Sequence, residues 1–272
     1  MNTGGQLKIV ALGGGSFNRR QTWRIDREIV SMAGVERPHV LFIPTAMDDA
    51  PEHIDAFQKL YGKKLGCEVQ VLKLVRNPMS VAQIEAFIDN SDLIYAGPGN
   101  TQHMLDIWRQ KGIDVLLRRA AEKGGVMCGM SAGAICWFDK GHSDSARYDG
   151  GAKWSYGPVS GLGLIDAIFC PHYHTQKREQ DLAKMVVETT QVAIACDDDA
   201  AFSVEDDKYR VLPVSPKIKA YRIVPHKGEA VREPLPTDGQ YRPLASAIGF
   251  HTGSDLHSSQ IKGHVFNGTS SV

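Results

Sequence analysis

The sequence predicts an α/β fold: a mostly parallel twisted sheet with helices on both faces and a small antiparallel C-terminal extension. Three observations predict it. Short apolar runs recur through most of the 272 residues, amphipathic stretches of helical period separate them, and strands with no helix between them follow. Alternating strands and helices imply parallel neighbours joined by crossovers, and such sheets are covered on both sides.

Lys8–Leu12, His39–Ile43, Val69–Leu72, Leu93–Ala96 and Val126–Cys128 are each short and apolar, as strands buried on both faces are. Between them, Ile54, Phe57 and Tyr61 recur on one helical face behind the starting residues Asp48, Asp49 and Pro51. Ser80–Gln83 has the form of a capping box ahead of Ile84, Phe87 and Ile88. Met104, Ile107 and Trp108 share a face, as do Leu182, Met185 and Val186. Val192–Ala195, Ala201–Val204, Tyr209–Leu212 and Ala220–Ile223 then read as strands, with a hairpin turn at Glu205–Lys208. Residues 1–225 are expected to form one α/β domain. Residues 226–272, rich in Pro, Gly, Ser, Thr and His, are expected to form a loosely ordered tail or peripheral wrap.

Composition excludes several classes. Lys and Arg total 31, as do Asp and Glu, and no basic tract exceeds a pair, so nucleic acid is not an expected partner. No apolar run approaches the roughly 20 residues of a membrane helix. Met1–Gln6 has no basic region ahead of an apolar core, so a secretory leader is not expected. The five cysteines (Cys67, Cys128, Cys136, Cys170 and Cys196) are odd in number, and four lie in or beside apolar runs, as reduced core thiols do. A soluble cytoplasmic protein, monomer or homodimer, is expected.

Three segments carry chemistry. In Val126–Ile135 a strand leads into Gly129-Met130-Ser131-Ala132-Gly133 and then a helix start. Such a turn lifts the Ser131 hydroxyl above the sheet edge and points the Ala132 amide at the same spot, where an oxyanion would develop. The alternative is a glycine-rich turn whose serine caps a helix. In Leu93–Thr101 a second strand ends in Gly97-Pro98-Gly99-Asn100. The Gly99 amide is the candidate second oxyanion donor, since Pro98 has no amide hydrogen. In Ile168–His174 a third strand ends in Pro171-His172-Tyr173-His174, which places His172 as a general base. His172, His174 and Cys170 could alternatively ligate a metal, but no further ligand pair with metal-like spacing accompanies them. A serine and a histidine need an acid to orient the imidazole, and Asp144 and Asp198 are the two candidates. Gly13-Gly14-Gly15 reads as a tight turn bordering the same pocket. Asn18 stands where a dinucleotide fingerprint needs its third glycine.

Gly97–Thr101, Gly129–Ala134 and Pro171–Tyr173, in this order, resemble the peptidase E/cyanophycinase family of serine peptidases. The resemblance runs from about Ile9 to Val211 and implies a fold like that of class I glutamine amidotransferases. It also implies hydrolysis of aspartyl dipeptides or of the β-aspartyl-arginine backbone of cyanophycin. Ser131 would be the nucleophile, His172 the base, and the Gly99 and Ala132 amides the oxyanion hole. Asp144 matches the family's acid after the elbow helix, and Asp198 falls where some members carry a second acid.

The expected function is a serine peptidase that hydrolyses small peptides through an acyl-enzyme, with no cofactor or metal. The alternatives are an esterase or amidase of other specificity, or a non-catalytic binding protein on an amidotransferase-like scaffold. Only 41 positions separate Ser131 from His172, which is short for an α/β-hydrolase esterase. A glutaminase would need cysteine at the elbow, and Cys128 lies three residues too early.

Overall fold

Alternate residues of β1 (Lys8–Leu12) enter different cores: Ile9 and Ala11 one, Val10 and Leu12 the other. β4 (Leu93–Ala96) divides the same way, with Ile94 and Ala96 against Leu93 and Tyr95. A strand buried on both faces has no polar side, which is why these segments read as continuous apolar runs. A computed structural model describes residues 6–18, 21–76, 79–150, 154–249 and 264–265.

The first sheet has β1 near its centre. On one side lie, in order, β5 (Val126–Met130), β4, β2 (His39–Ile43) and β3 (Glu68–Val71), all parallel. On the other side, β10 (Ala200–Glu205), β11 (Lys208–Pro213) and β14 (Arg242–Pro243) continue it antiparallel. One face is covered by α1 (Trp23–Met32) and α2 (Pro51–Phe57). The other is covered by α3 (Val81–Asp89), α4 (Thr101–Lys111) and α5 (Ile113–Glu122). Ser80 caps α3 as the sequence predicts: its Oγ accepts from Gln83 N, and Gln83 Oε1 accepts from Ser80 N. Asp48 and Asp49 do not cap α2. Both have positive φ in the preceding turn, and buried Asp49 accepts from the Val75 and Arg76 amides instead.

Where the sequence predicts one sheet with an extension, the strands divide between two. After the four-residue helix α6 (Ala132–Ile135), β6 (Phe138–Ser143) leaves the first sheet and founds a second. That sheet runs β15 (His264–Val265), β13 (Glu229–Pro234), β12 (Ala220–His226), β9 (Ala193–Cys196), β8 (Ile165–Cys170), β6 and β7 (Gly157–Ser160). Its central strands β6, β8 and β9 are parallel. One face shares the larger core with the first sheet through Phe138 and Phe169, and the other packs on α7 (Glu179–Thr189). β6 is not legible beforehand because Asp139-Lys140-Gly141-His142 has no apolar alternation. The boundary expected after residue 225 falls inside the β12–β13 hairpin, where His226 pairs with Glu229. The helix α8 (Ala245–Ile248) follows, burying Ala247. Residues 250–263 and 266–272 of the expected tail lie outside the described residues. Among the described residues no helix is long and apolar enough to cross a membrane.

A carboxylate lies inside the smaller core. Asp26 is fully buried and accepts hydrogen bonds from Tyr61 Oη at 2.8 Å and Thr22 Oγ1 at 2.9 Å. Burial pushes its pKa up to about 6, against the opposite pull of those two donors. A native pKa above the unfolded one favours the folded state at low pH, and that contribution is lost as pH rises through the native value. Wild type should therefore lose on the order of 2–3 kcal/mol between pH 4 and pH 7 from this group. Asp26→Asn should flatten that part of the profile, as chemical denaturation across this pH range would measure.

Candidate active site

Register brings the loops together. Leu12 at the end of β1 pairs with Met130 of β5 and with Ala201 of β10, and Ala96 of β4 pairs with Gly129. Ser131, the Gly97–Asn100 loop and the Asp197–Asp199 connection therefore leave the first sheet at one edge. The same connection joins β9 of the second sheet to β10 of the first, and Pro171–Lys177 leaves β8 beside it. The candidate site is thus a seam between two sheets.

Ser131 has φ 54° and ψ −113°, a conformation L-residues rarely adopt. The turn closes because its neighbours lack side chains. A Cβ on Gly129 would stand 2.1 Å from Gly133 O, and one on Gly133 would stand 2.0 Å from Ala96 O. Ser131 N donates to Leu12 O at 3.0 Å, which ties the elbow to the end of β1. Its Oγ lies 2.8 Å from His172 Nε2, and His172 Nδ1 lies 2.5 Å from Asp198 Oδ1. In the tautomer protonated on Nδ1, the imidazole donates to Asp198 and accepts from the Ser131 hydroxyl. Burial works to raise the Asp198 pKa, but the hydrogen bond and charge of His172 outweigh it. A Thr175 hydrogen bond and the Arg178 charge help, so the carboxyl stays below its ordinary range. The next residue, Asp199, is shifted upward by burial and by the Asp198 charge.

The glycine turn after β1 has a part that the sequence left undefined. Gly13 O accepts from His172 N at 3.1 Å, Gly14 O accepts from Asp199 N at 3.1 Å, and Gly13 N donates to Ala200 O at 2.9 Å. A Cβ on Gly14 would lie 1.9 Å from Asp198 Oδ1 and 2.6 Å from His172 Nδ1. The turn is bare because the imidazole–carboxylate pair occupies the space. A triple glycine is visible in the sequence, but what presses against it is not.

Asp144 is not brought to the imidazole. Its carboxylate pairs with Arg147 at 3.2 Å and faces Arg178 at 3.8 Å. Arg178, a residue that sequence reasoning missed, is buried. It donates to His142 O at 2.6 Å and to Gln176 Oε1, and it stacks on Tyr156. It thereby braces the loop carrying His172. Cys170, His172 and His174 do not converge. Cys170 Sγ lies 3.7 Å from His142 Nδ1, and His174 pairs with Asp197 at 2.7 Å. The loop that carries Gly99 adjoins the elbow, since a Cβ on Gly133 would lie 2.8 Å from Gly97 O, and Ala132 opens the elbow helix. Asn100 N donates to Ala46 O at 2.8 Å and its side chain caps α4 at His103 N, which fixes the Gly99 loop.

A model of peptidase family S51 matches residues 9–212. The chain is 33% identical over 236 residues to the uncharacterized peptidase YgaJ of Bacillus subtilis (strain 168), covering 84% of this chain and 97% of that protein. Two solved structures share the fold. A peptidase from an acI-B1 Actinobacterium superposes with a TM-score of 0.68 at 18% identity, over 89% of this chain and 98% of that one. A putative peptidase E protein from Listeria monocytogenes EGD-e superposes with a TM-score of 0.58 at 20% identity, over 77% of this chain and 100% of that one.

The contact at Gly14 is directly testable. Gly14→Ala should displace the His172–Asp198 pair and cut turnover by about 100-fold, the cost of roughly ångström-scale misplacement. Circular dichroism should show the fold retained, and turnover within twofold of wild type would contradict the expected displacement.

Proposed function

This chain belongs to peptidase family S51 and is a serine-type peptidase, and we propose that it hydrolyses small peptides, aspartyl dipeptides among them, through a Ser131–His172–Asp198 triad. The observation that carries this reading is the unbroken relay of hydrogen bonds from Ser131 Oγ through both imidazole nitrogens to Asp198.

The chemistry follows from the geometry. As Ser131 Oγ attacks the scissile carbonyl carbon, its proton passes to His172 Nε2. The imidazolium formed is stabilised by Asp198, which remains ionised because its pKa is held low. The carbonyl oxygen becomes an oxyanion and accepts from the Gly99 and Ala132 amides. His172 then returns the proton to the departing amine, leaving an acyl-enzyme on Ser131. Water then attacks the acyl carbon as its proton passes to His172 Nε2, the bond to Ser131 Oγ breaks to release the acid product, and His172 returns that proton to Ser131 Oγ. None of these steps calls for a metal or cofactor. The aspartyl preference follows the resemblance to the peptidase E family. A cytoplasmic setting agrees with five buried thiols, all of them unpaired.

Ser131→Ala should lower kcat/KM on Asp-X dipeptides by on the order of 10⁴-fold or more. The melting temperature should hold. Undiminished hydrolysis would remove Ser131 from the mechanism. The two candidate acids separate in the same assay: Asp198→Asn should cost about 10³–10⁴-fold in kcat. Asp144→Asn should cost less than about tenfold, since its partners are arginines. The reverse ranking would make Asp144 the acid.

A further inference from the structure

Two hollows adjoin along α2 and share three lining residues. The smaller, of about 130 Å³, is lined by Gly15, Glu52, His53, Pro98 and Met130. Pro98 and Met130 are the chain neighbours of Gly99 and Ser131, so this hollow borders the two loops that carry the proposed reacting groups. The larger, of about 300 Å³, is lined by Lys59, Leu60, Lys63 and Lys64. Phe17, Asn18 and Ala56 line both. One wall of each is therefore α2 and its wide-turned continuation, Gln58–Lys64.

The charge along this wall is uneven. Glu52 and His53 stand at the near end, and only lysines stand at the far end. Lys59 pairs with Asp55 at 2.6 Å. Lys63 and Lys64 are exposed and have no carboxylate partner among the described residues. The whole chain has 31 basic and 31 acidic residues, so this cationic end is a local feature. Buried Phe17 and Leu60 line the same hollow as the lysines. From Glu52 to Lys63 the helix advances roughly 15 Å. An extended peptide advances about 3.3 Å per residue, so the lysines stand about four to five residues along this wall from Glu52 at its near end.

We propose that this cleft receives the distal part of a peptide substrate and that Lys63 and Lys64 select acidic side chains or a terminal carboxylate there. Preferred substrates are then acidic oligopeptides. The inference rests on Ser131 as the reacting centre, and it extends that reading from the scissile bond to the substrate class.

Binding and turnover test it separately. Fluorescein-labelled hexapeptides differing only in Glu, Gln or Lys at the distal positions are titrated into the Ser131→Ala protein and followed by anisotropy. The Glu peptide should bind about fivefold more tightly than the Gln peptide, and the Lys peptide more weakly still. The preference should fade at 0.5 M salt. It should disappear in a Ser131→Ala, Lys63→Glu, Lys64→Glu protein but persist when Lys184→Glu, on α7, is introduced instead. Equal affinities for the three peptides, or equal weakening by Lys184→Glu, would overturn the proposal. With the Ser131 protein, the same preference should be read in KM. Charge-selective binding without hydrolysis would reject the serine mechanism but leave the cleft. Hydrolysis without charge selection would do the opposite.

Discussion

The main chain of Gly13 and Gly14 is where the two sheets meet, and the candidate site depends on it. Within two residues of the end of β1, carbonyl oxygens accept from the amides of Ser131, His172 and Asp199. Each amide belongs to a different loop, and each loop carries or adjoins one member of the proposed triad. Backbone hydrogen bonds fix position more tightly than side-chain contacts because no rotamer intervenes. The arrangement is therefore set by three strand ends, not by the side chains themselves. Gly14 also leaves the space that the imidazole and carboxylate fill.

This rigidity supports backbone conformations that would be unfavourable alone. Ser131, His172 and Asp199 all have positive φ, at 54°, 52° and 63°. Residues so placed cost of order 1–3 kcal/mol each and persist only where the surroundings over-determine them. The surroundings here are dense. Phe17, just beyond the glycine turn, meets Phe42, Phe57 and Tyr95 edge-on, and Phe57 stacks in turn on Phe42 and Tyr61. That aromatic cluster anchors the turn from one side, and Arg178 braces the histidine loop from the other.

Charge is sorted as tightly as shape. Arg178 stands between the two acids that the sequence offers, lowering Asp198 while facing Asp144. Asp198 alone reaches the imidazole. Its neighbour Asp199 is shifted the opposite way, so adjacent carboxyls of one loop differ in how readily they ionise. At a distance, Lys63 and Lys64 on the α2 continuation, which have no carboxylate partner among the described residues, give the groove a sign that the neutral chain as a whole lacks.

What the amino-acid order determined by itself was local. Apolar runs without alternation marked strands buried on both faces. Ser80–Gln83 marked a helix start, and glycines around Ser131 marked a turn too tight for side chains. Such features depend on neighbours a few residues away, so they are written in short segments. The division into two sheets was not. β6 carries Asp139-Lys140-Gly141-His142 and is a strand only because β8 and β7 flank it. Nor could sequence choose between Asp144 and Asp198, which are both acids in loops. That choice rests on the Asp197–Asp199 connection crossing from one sheet to the other beside Gly14. It brings a carboxylate 26 positions away to within 2.5 Å of the imidazole. Distances of that kind come from how strands pair, and pairing is decided by burial over the whole molecule.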